Sequence, residues 1–332
     1  MAHELEVSAD GVAAAAFRSA PAWHGLGTVF ESSVTTGEML DLAHLSDWNV
    51  TLNAVSDHAP EDFRFVRQSY MVTRTNPFDQ GTDVLATVGE RYNVIQNEEL
   101  FAFADHILDG GAEWESAGSL KDGRVVFGSL VIPHEFTLDP SGAADTTRTY
   151  LLVNTSHDGS VAVQASVTPV RVVCQNTLNI ALGNVKQSFK VRHTQTVGGK
   201  VAAAREALDL TYAYMDEFEV EAQALYAAAI TEAQFNALVV SLYPKPEKDA
   251  KGALTKWENK LDAINTLWVG ATNENIRGTA WGALNTLTER LDYGRSGRGD
   301  ERNLIAAASG FDPVTNAEKG RILRATKLLV GV

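Results

Sequence analysis

The stretch EWESAGSLKDGRVVFGSLVI, residues 113–132, decides the fold of the first half of this chain. Two runs with strand character, Glu113 to Leu120 and Arg124 to Ile132, flank Lys121-Asp122-Gly123, and Asp-Gly suits the positive φ angles of a tight hairpin turn. The same turn chemistry returns further on. Tyr150 to Thr155 and Ser160 to Val167 flank His157-Asp158-Gly159, so a second hairpin is predicted and with it a run of consecutive antiparallel strands. Upstream, Phe63 to Thr75 and Asp83 to Val88 read as strands, and Asn97 to Leu108 as a helix capped by Asn97. Downstream, Val172 to Leu182 reads as a short helix and Val185 to His193 as a strand, while Asp139 to Thr147, with Pro140 and Gly142, reads as a polar loop.

Past Gly198-Gly199 the pattern changes to Ala, Leu, Glu and Lys at helical spacing. Leu208, Tyr212, Met215, Phe218, Ala222, Leu225 and Ala229 step by three and four, as one face of a long amphipathic helix must. Thr231 and Gln234 then form a capping-box pattern, with Ile230 and Phe235 placed as a hydrophobic staple. Pro244 ends that helix, and further helices are predicted over Leu254 to Val269, Ile276 to Leu291 and Asn316 to Leu329. The expected fold is α+β: an antiparallel β-sheet with packed helices over residues 1–198, followed by a mostly helical part over 199–332.

With 332 residues and 45% hydrophobic content, the chain can fill two compact cores. Its single cysteine, Cys174, excludes an intramolecular disulfide and any cysteine-based zinc site. The N-terminus has no basic-then-apolar signal pattern, and no run of about 18 apolar residues offers a membrane span, so a cytoplasmic protein is expected. A net charge of -14 disfavours indiscriminate binding to nucleic acid or anionic membrane, so any polyanion site must be local.

One such place exists. From Gly159 to Arg205 there is no Asp or Glu, although the chain holds 42 of them in 332 residues and about six would fall in that window if charge were spread evenly. The window instead carries Arg171, Lys186, Lys190, Arg192, Lys200 and Arg205. If Val185 to His193 is a strand, alternation puts Lys186, Lys190 and Arg192 on one face, where same-face side chains repeat every ~6.6 Å, a workable pitch for successive phosphates of an extended strand. A half-buried sheet whose apolar content excludes carboxylates accounts for the same window without any ligand. A second mixed patch interleaves Arg64, Arg67 and Arg74 with Phe63, Phe65 and Tyr70, and such planes can stack on unpaired bases or simply fill a core.

Other motifs point nowhere so specific. Cys174, in VRVVCQNTL, would need His157 or His193 beside it to act as a nucleophile, and among valines it reads as a small core residue. The eight histidines show no metal-ligand spacing, and His24 in PAWHGLGT belongs to a tight structured loop. Gly198-Gly199-Lys200 lacks the nucleotide-binding frame, so no cofactor is expected. The loop YGRSGRGD, residues 293–300, carries Arg295 and Arg298 beside Asp300 and Glu301.

The segments PAWHGLGT (Pro21 to Thr28), GERYNVIQNEELFAF (Gly89 to Phe103), NTSHDGS (Asn154 to Ser160) and RVVCQNTL (Arg171 to Leu178) together resemble the phage/plasmid-like family catalogued as domain of unknown function 932. The resemblance implies a mobile-element protein in a bacterial cytoplasm and carries no catalytic residue with it. In its order of helix, antiparallel strands, helix and basic strand, the chain is also similar to the phage single-strand annealing recombinases of the RecT, Redβ and Erf type. That likeness implies a homo-oligomer that pairs complementary single-stranded DNA without nucleotide hydrolysis. Three functions are therefore weighed: single-stranded DNA binding and annealing through Arg64, Arg67, Arg74, Arg171, Lys186, Lys190, Arg192 and Lys200; non-enzymatic assembly or host interaction through the acidic helical half; and hydrolysis by Cys174 with a histidine.

Overall fold

The turn at Lys121-Asp122-Gly123 does close a hairpin, with φ of 55°, 57° and 85° at its three residues, between strands β6 (Glu113–Leu120) and β7 (Val125–Leu138). The computed structural model describes residues 5–19, 25–55, 68–102, 104–160, 163–171, 176–177, 188–190, 197–247, 252–293 and 313–331. Strand β7 pairs in turn with β8 (Asp145–Ser156), and β8 with β9 (Gln164–Arg171), all antiparallel. On the other side of β6 lies β1 (Ala15–Arg18), followed by β2 (Thr28–Phe30). Two short strands, β10 (Asn176–Thr177) and β11 (Ser188–Lys190), share the outer edge of β9, which completes an eight-stranded sheet.

This sheet is mixed rather than wholly antiparallel, because β1 and β2 run parallel. Gly27 explains how the chain comes alongside: its φ is 97°, and a Cβ there would lie 2.8 Å from the Phe17 ring and 2.9 Å from the Ala15 carbonyl oxygen. Only glycine tolerates both the left-handed backbone and that approach. A separate antiparallel sheet holds β3 (Thr51–Ala54), β4 (Ser69–Thr75) and β5 (Thr82–Gly89) in the order β3-β4-β5.

Eight α-helices are present among the described residues: α1 (Thr36–Leu42), α2 (Asn97–Phe101), α3 (Ala104–Leu108), α4 (Val197–Ala227), α5 (Glu232–Leu242), α6 (Ala253–Val269), α7 (Ala280–Tyr293) and α8 (Pro313–Val330). The capping box before α5 is formed in both directions between Thr231 and Gln234, and Ile230 and Phe235 are buried together in one core. Other expectations need correction. The helix expected over Asn97 to Leu108 is two short helices, and its cap is Gln96, whose backbone N–H donates to Glu99, while Asn97 is already helical. The region expected as a helix over Val172 to Leu182 contains β10, and its other residues lie outside the described ones. The helix expected from Ile276 starts only at Ala280, because a 3-10 turn over Ala271–Ile276 precedes it and Gly278, at φ 83°, turns the chain between them.

Two large cores result. The first lies between one face of the large sheet and α1 to α3 with the small sheet, around Trp48, Phe101, Trp114, Leu130, Leu151 and Val153. The second fills the helical layer around Phe218, Phe235, Trp268 and Trp281, and takes Phe136, Leu138 and Val167 from the sheet. The 31-residue α4 serves both, giving Ala207, Leu208 and Tyr212 to the first and Tyr214 to Leu225 to the second. The expected boundary at Gly198-Gly199 thus falls in the first turn of α4. No helix among the described residues is long and apolar enough to cross a membrane.

The tip of the β7-β8 hairpin ties the sheet to the helices. Trp281 Nε1 donates to the fully buried Asp145 carboxyl at 2.8 Å, Asn275 donates to the Ala143 carbonyl at 2.8 Å, and the Tyr226 hydroxyl donates to Asp139 at 3.0 Å. Replacing Trp281 by Phe removes a buried donor to a carboxyl, and the expected loss is about 2 kcal/mol. Urea denaturation at unchanged m-value would measure it as a lower midpoint.

Candidate functional site

Among the described residues of the acid-free window, β10 and β11 meet the outer edge of β9. Lys190 sits opposite Gln164 at one end of that strand, and Arg171, at the other end, sits opposite Thr147 of β8 and Asn176 of β10. From Gln164 to Arg171 the strand runs roughly 23 Å, at about 3.3 Å per residue. Lys200 lies in the first turn of α4. Arg64, Arg67, Lys186 and Arg192, with Cys174 and His193, lie outside the described residues.

Beside that edge the large sheet presents two unlike faces. One register row reads Ala16, Ala117, Gly128, Val153 and Ala165 across β1, β6, β7, β8 and β9, small side chains under the first core. Gly128 is required there, since a Cβ would press on the rings of Phe101 and Trp114. The next row, on the opposite face, reads Phe17, Ser116, Ser129, Leu152 and Ser166, and continues to Ser188 in register on β11. The hydroxyls of Ser116 and Ser129 meet at 2.7 Å. Two rows further, on this same face, Tyr150 is half-buried among Glu115, Arg148 and Arg18. Desolvation first, then the Glu115 charge, pushes the phenol up to about 12, so it stays protonated and can donate a hydrogen bond. Burial also raises Glu115, which sits at the bulge between Trp114 and Ser116, while Arg18 and Arg148 oppose that rise. This face offers hydroxyls, an aromatic ring and guanidinium groups, a set able to contact a sugar–phosphate chain or its bases. Its arginines are paired: Arg18 with Glu113, which Ser33 also contacts, and Arg148 with Glu135 at 3.3 Å.

Arg74, expected in a nucleic-acid patch, has a different setting. It is 3% exposed, bonded to both oxygens of Glu6 and, at 2.9 Å, to Asp83, and its guanidinium lies 4.0 Å above the Trp48 ring. Glu6, itself 5% exposed, accepts a further bond from Ser119. The guanidinium therefore binds a strand of the small sheet to the N-terminal segment and does not face solvent. Tyr70, from the same expected patch, is half-buried in β4. Above Arg74 opens a polar cavity of about 390 Å³, lined among others by Asp10, Asp79, Asp83, Asp122, Phe78 and Arg124.

Behind the same tryptophan the segments GERYNVIQNEELFAF and NTSHDGS meet. His157 is 1% exposed, with its ring 5.6 Å from Trp48, and its Nε2 lies 3.0 Å from Asn97 Oδ1. Asn97 must turn its NH₂ to the Leu45 carbonyl at 2.8 Å, which leaves Oδ1 to accept and makes His157 the Nε2–H tautomer. Desolvation, helped by Arg74 and opposed by Asp158, lowers His157 to about 4. Tyr92 donates to the Ser156 carbonyl at 3.3 Å, and burial with the Asp158 charge pushes its phenol up to about 12. His157 thus stays neutral at neutral pH, held by Asn97. In the sequence His157 stands in a hairpin turn and as one of two histidines that could serve Cys174, and no local pattern reports that a turn histidine is buried. Among the described residues no group of three His, Cys, Asp or Glu could hold a metal ion.

The fold and its site define a class: an α+β protein with one face of its large sheet packed under helices, the other carrying serines, Tyr150 and a smaller apolar cluster around Phe127 and Leu152, and the acid-free strands β9 to β11 at its edge. Within that class the chain belongs to the family of the domain of unknown function DUF932, whose model matches residues 84–315. No curated protein and no solved structure matches it.

The His157 environment sets an acid limit on stability. The folded-state pKa lies below the unfolded value, so the unfolded chain binds the proton more readily between pH 6.5 and about 4. Stability from this group is complete above about pH 6.5 and is lost as the pH falls towards 4, by roughly 3 kcal/mol in all. Urea midpoints of wild type and His157→Gln across that range would show it as a slope present in the first and absent from the second. Arg74→Ala strands a buried carboxylate and is expected to cost about 3–5 kcal/mol in the same measurement.

Proposed function

We propose that this protein binds and anneals single-stranded DNA along the β9 edge of its large sheet, without nucleotide hydrolysis. The observation that carries the reading is that β10 and β11, both from the acid-free window, return to the same edge of one strand. Of the window's cations, Lys190 on β11 and Arg171 at the end of β9 stand along that edge, in a chain whose net charge of -14 disfavours indiscriminate contact with polyanions. The adjoining polar face, with Tyr150 and its serines, supplies ring and hydroxyl contacts of the kind that hold a strand regardless of sequence. Strand pairing needs no nucleophile, only a held backbone with its bases left free. Arg74 has no part in this interface; Lys186, Lys190, Arg192, Arg171 and Lys200 carry it, with Arg64 and Arg67 as further contacts.

The second reading is a non-enzymatic assembly or host-interaction protein, and the acidic cavity above Arg74 favours it, since that surface suits a cationic partner and repels phosphate.

Fluorescence anisotropy of a labelled oligonucleotide against salt concentration separates the two. Each phosphate contact contributes about -0.7 to the log–log slope, so replacing Lys186, Lys190 and Arg192 by Ala is expected to flatten it by about 2. Wild-type protein with no affinity for oligonucleotides at low salt leaves the second reading standing alone.

A further inference from the structure

On the sheet face that carries Tyr150 and the serines, one buried side chain has nothing to bond. Asn154 of β8 is 0% exposed, yet neither its Oδ1 nor its Nδ2 has a hydrogen-bond partner among the described residues. A carboxamide buried in this way is costly, and native folds keep few of them. Strand alternation sets Asn154 on the side of Leu152, since Val153 between them enters the first core. Phe127 of β7 and Gln164 of β9 flank it in register, and Gln164 in turn sits opposite Lys190 of β11. Directly opposed side chains leave their strands about 5 Å apart, but the two carboxamides of Asn154 and Gln164 do not bond to each other. Further along β9, on the same face and 2% exposed, Thr168 also has an unpaired Oγ1.

A carboxamide holds an acceptor beside a donor in one plane, so its complement is a planar group with a donor beside an acceptor. The adenine edge formed by N6 and N7 is such a group; guanine offers two acceptors there, and a pyrimidine only one polar atom. We propose that Asn154 holds an adenine of the bound strand by N6 and N7, which leaves the pairing edge of that base free. The inference rests on the strand-binding reading above and names the base that the site prefers. Lys190 and Asn154 occupy positions two strand spacings apart, about 9–10 Å, a span over which one nucleotide reaches from a phosphate at the sheet edge to a base above β8. The base enters past Gln164, a flexible side chain that is only half-buried, and meets the carboxamide beside Phe127.

Fluorescence anisotropy of labelled oligo(dA), compared with the same strand built from 7-deazaadenine, tests the contact, because the second carries C–H in place of N7. Wild type is expected to bind the 7-deaza strand about tenfold more weakly, as for a lost bidentate base contact. Asn154→Val, an apolar residue suited to a strand, is expected to bind both strands alike. Its urea midpoint is expected to be no lower than that of wild type, since no hydrogen bond within the fold is lost. The wild-type comparison needs no variant, so the test stands even if Asn154→Val fails to fold. Equal binding of the two strands by wild type overturns this inference and leaves strand binding along β9 standing. Wild type that binds neither strand overturns both. A folded Asn154→Val with a lower urea midpoint shows an amide satisfied inside the fold, by water or by chain, and that also overturns the inference.

Discussion

The buried hydrogen bond from Trp281 to Asp145 holds the sheet and the helical layer to one another. Asp145 is the first residue of β8 and Trp281 the second of α7, so this contact, with Asn275 on Ala143 and Tyr226 on Asp139, ties the end of the long hairpin to the helices. A carboxyl taken fully out of water is tolerable only with donors in place, and this requirement is directional in a way that apolar packing is not. Around it, Phe136 and Leu138 at the hairpin tip enter the second core, while Leu130 and Ile132 of the same strand lie in the first. Strand β7 is 14 residues long because it has to reach both. Helix α4 repeats that span on the helical side.

The large sheet separates structure from candidate function by its pleat. Adjacent register rows differ by one residue, yet one is alanine, glycine and valine under helices and the other is largely serine. A slip of one position would exchange them, burying hydroxyls and exposing the small apolar row. The bulges at Trp114/Ser116 and at Ile132/Glu135 adjust this pattern where β6 and β7 leave the first core, and the first of them lifts Glu115 beside Tyr150.

Charge is arranged on the same principle. Arg18, Arg74, Arg148 and Arg321 each meet a carboxylate within the fold. Segments without acids of their own are where positive potential can persist.

Several elements were legible in the residues alone. Asp-Gly pairs announced both hairpins, Thr231 and Gln234 announced α5, and the three-four spacing from Leu208 to Leu225 announced α4, because turn, cap and amphipathic signals act within a few residues of chain. The parallel pairing of β1 with β2, the break at Gly278, and β10 where a helix was expected needed contacts supplied from far along the chain. Arg74 shows the limit most clearly for the site. Beside phenylalanine and tyrosine it reads as a nucleic-acid contact, and its carboxylate partner is Glu6, 68 residues earlier. Composition determined that this is an acidic chain with one acid-free window; only the tertiary structure decided which arginines are already paired, because pairing depends on which distant side chains the packed sheet brings within hydrogen-bond reach.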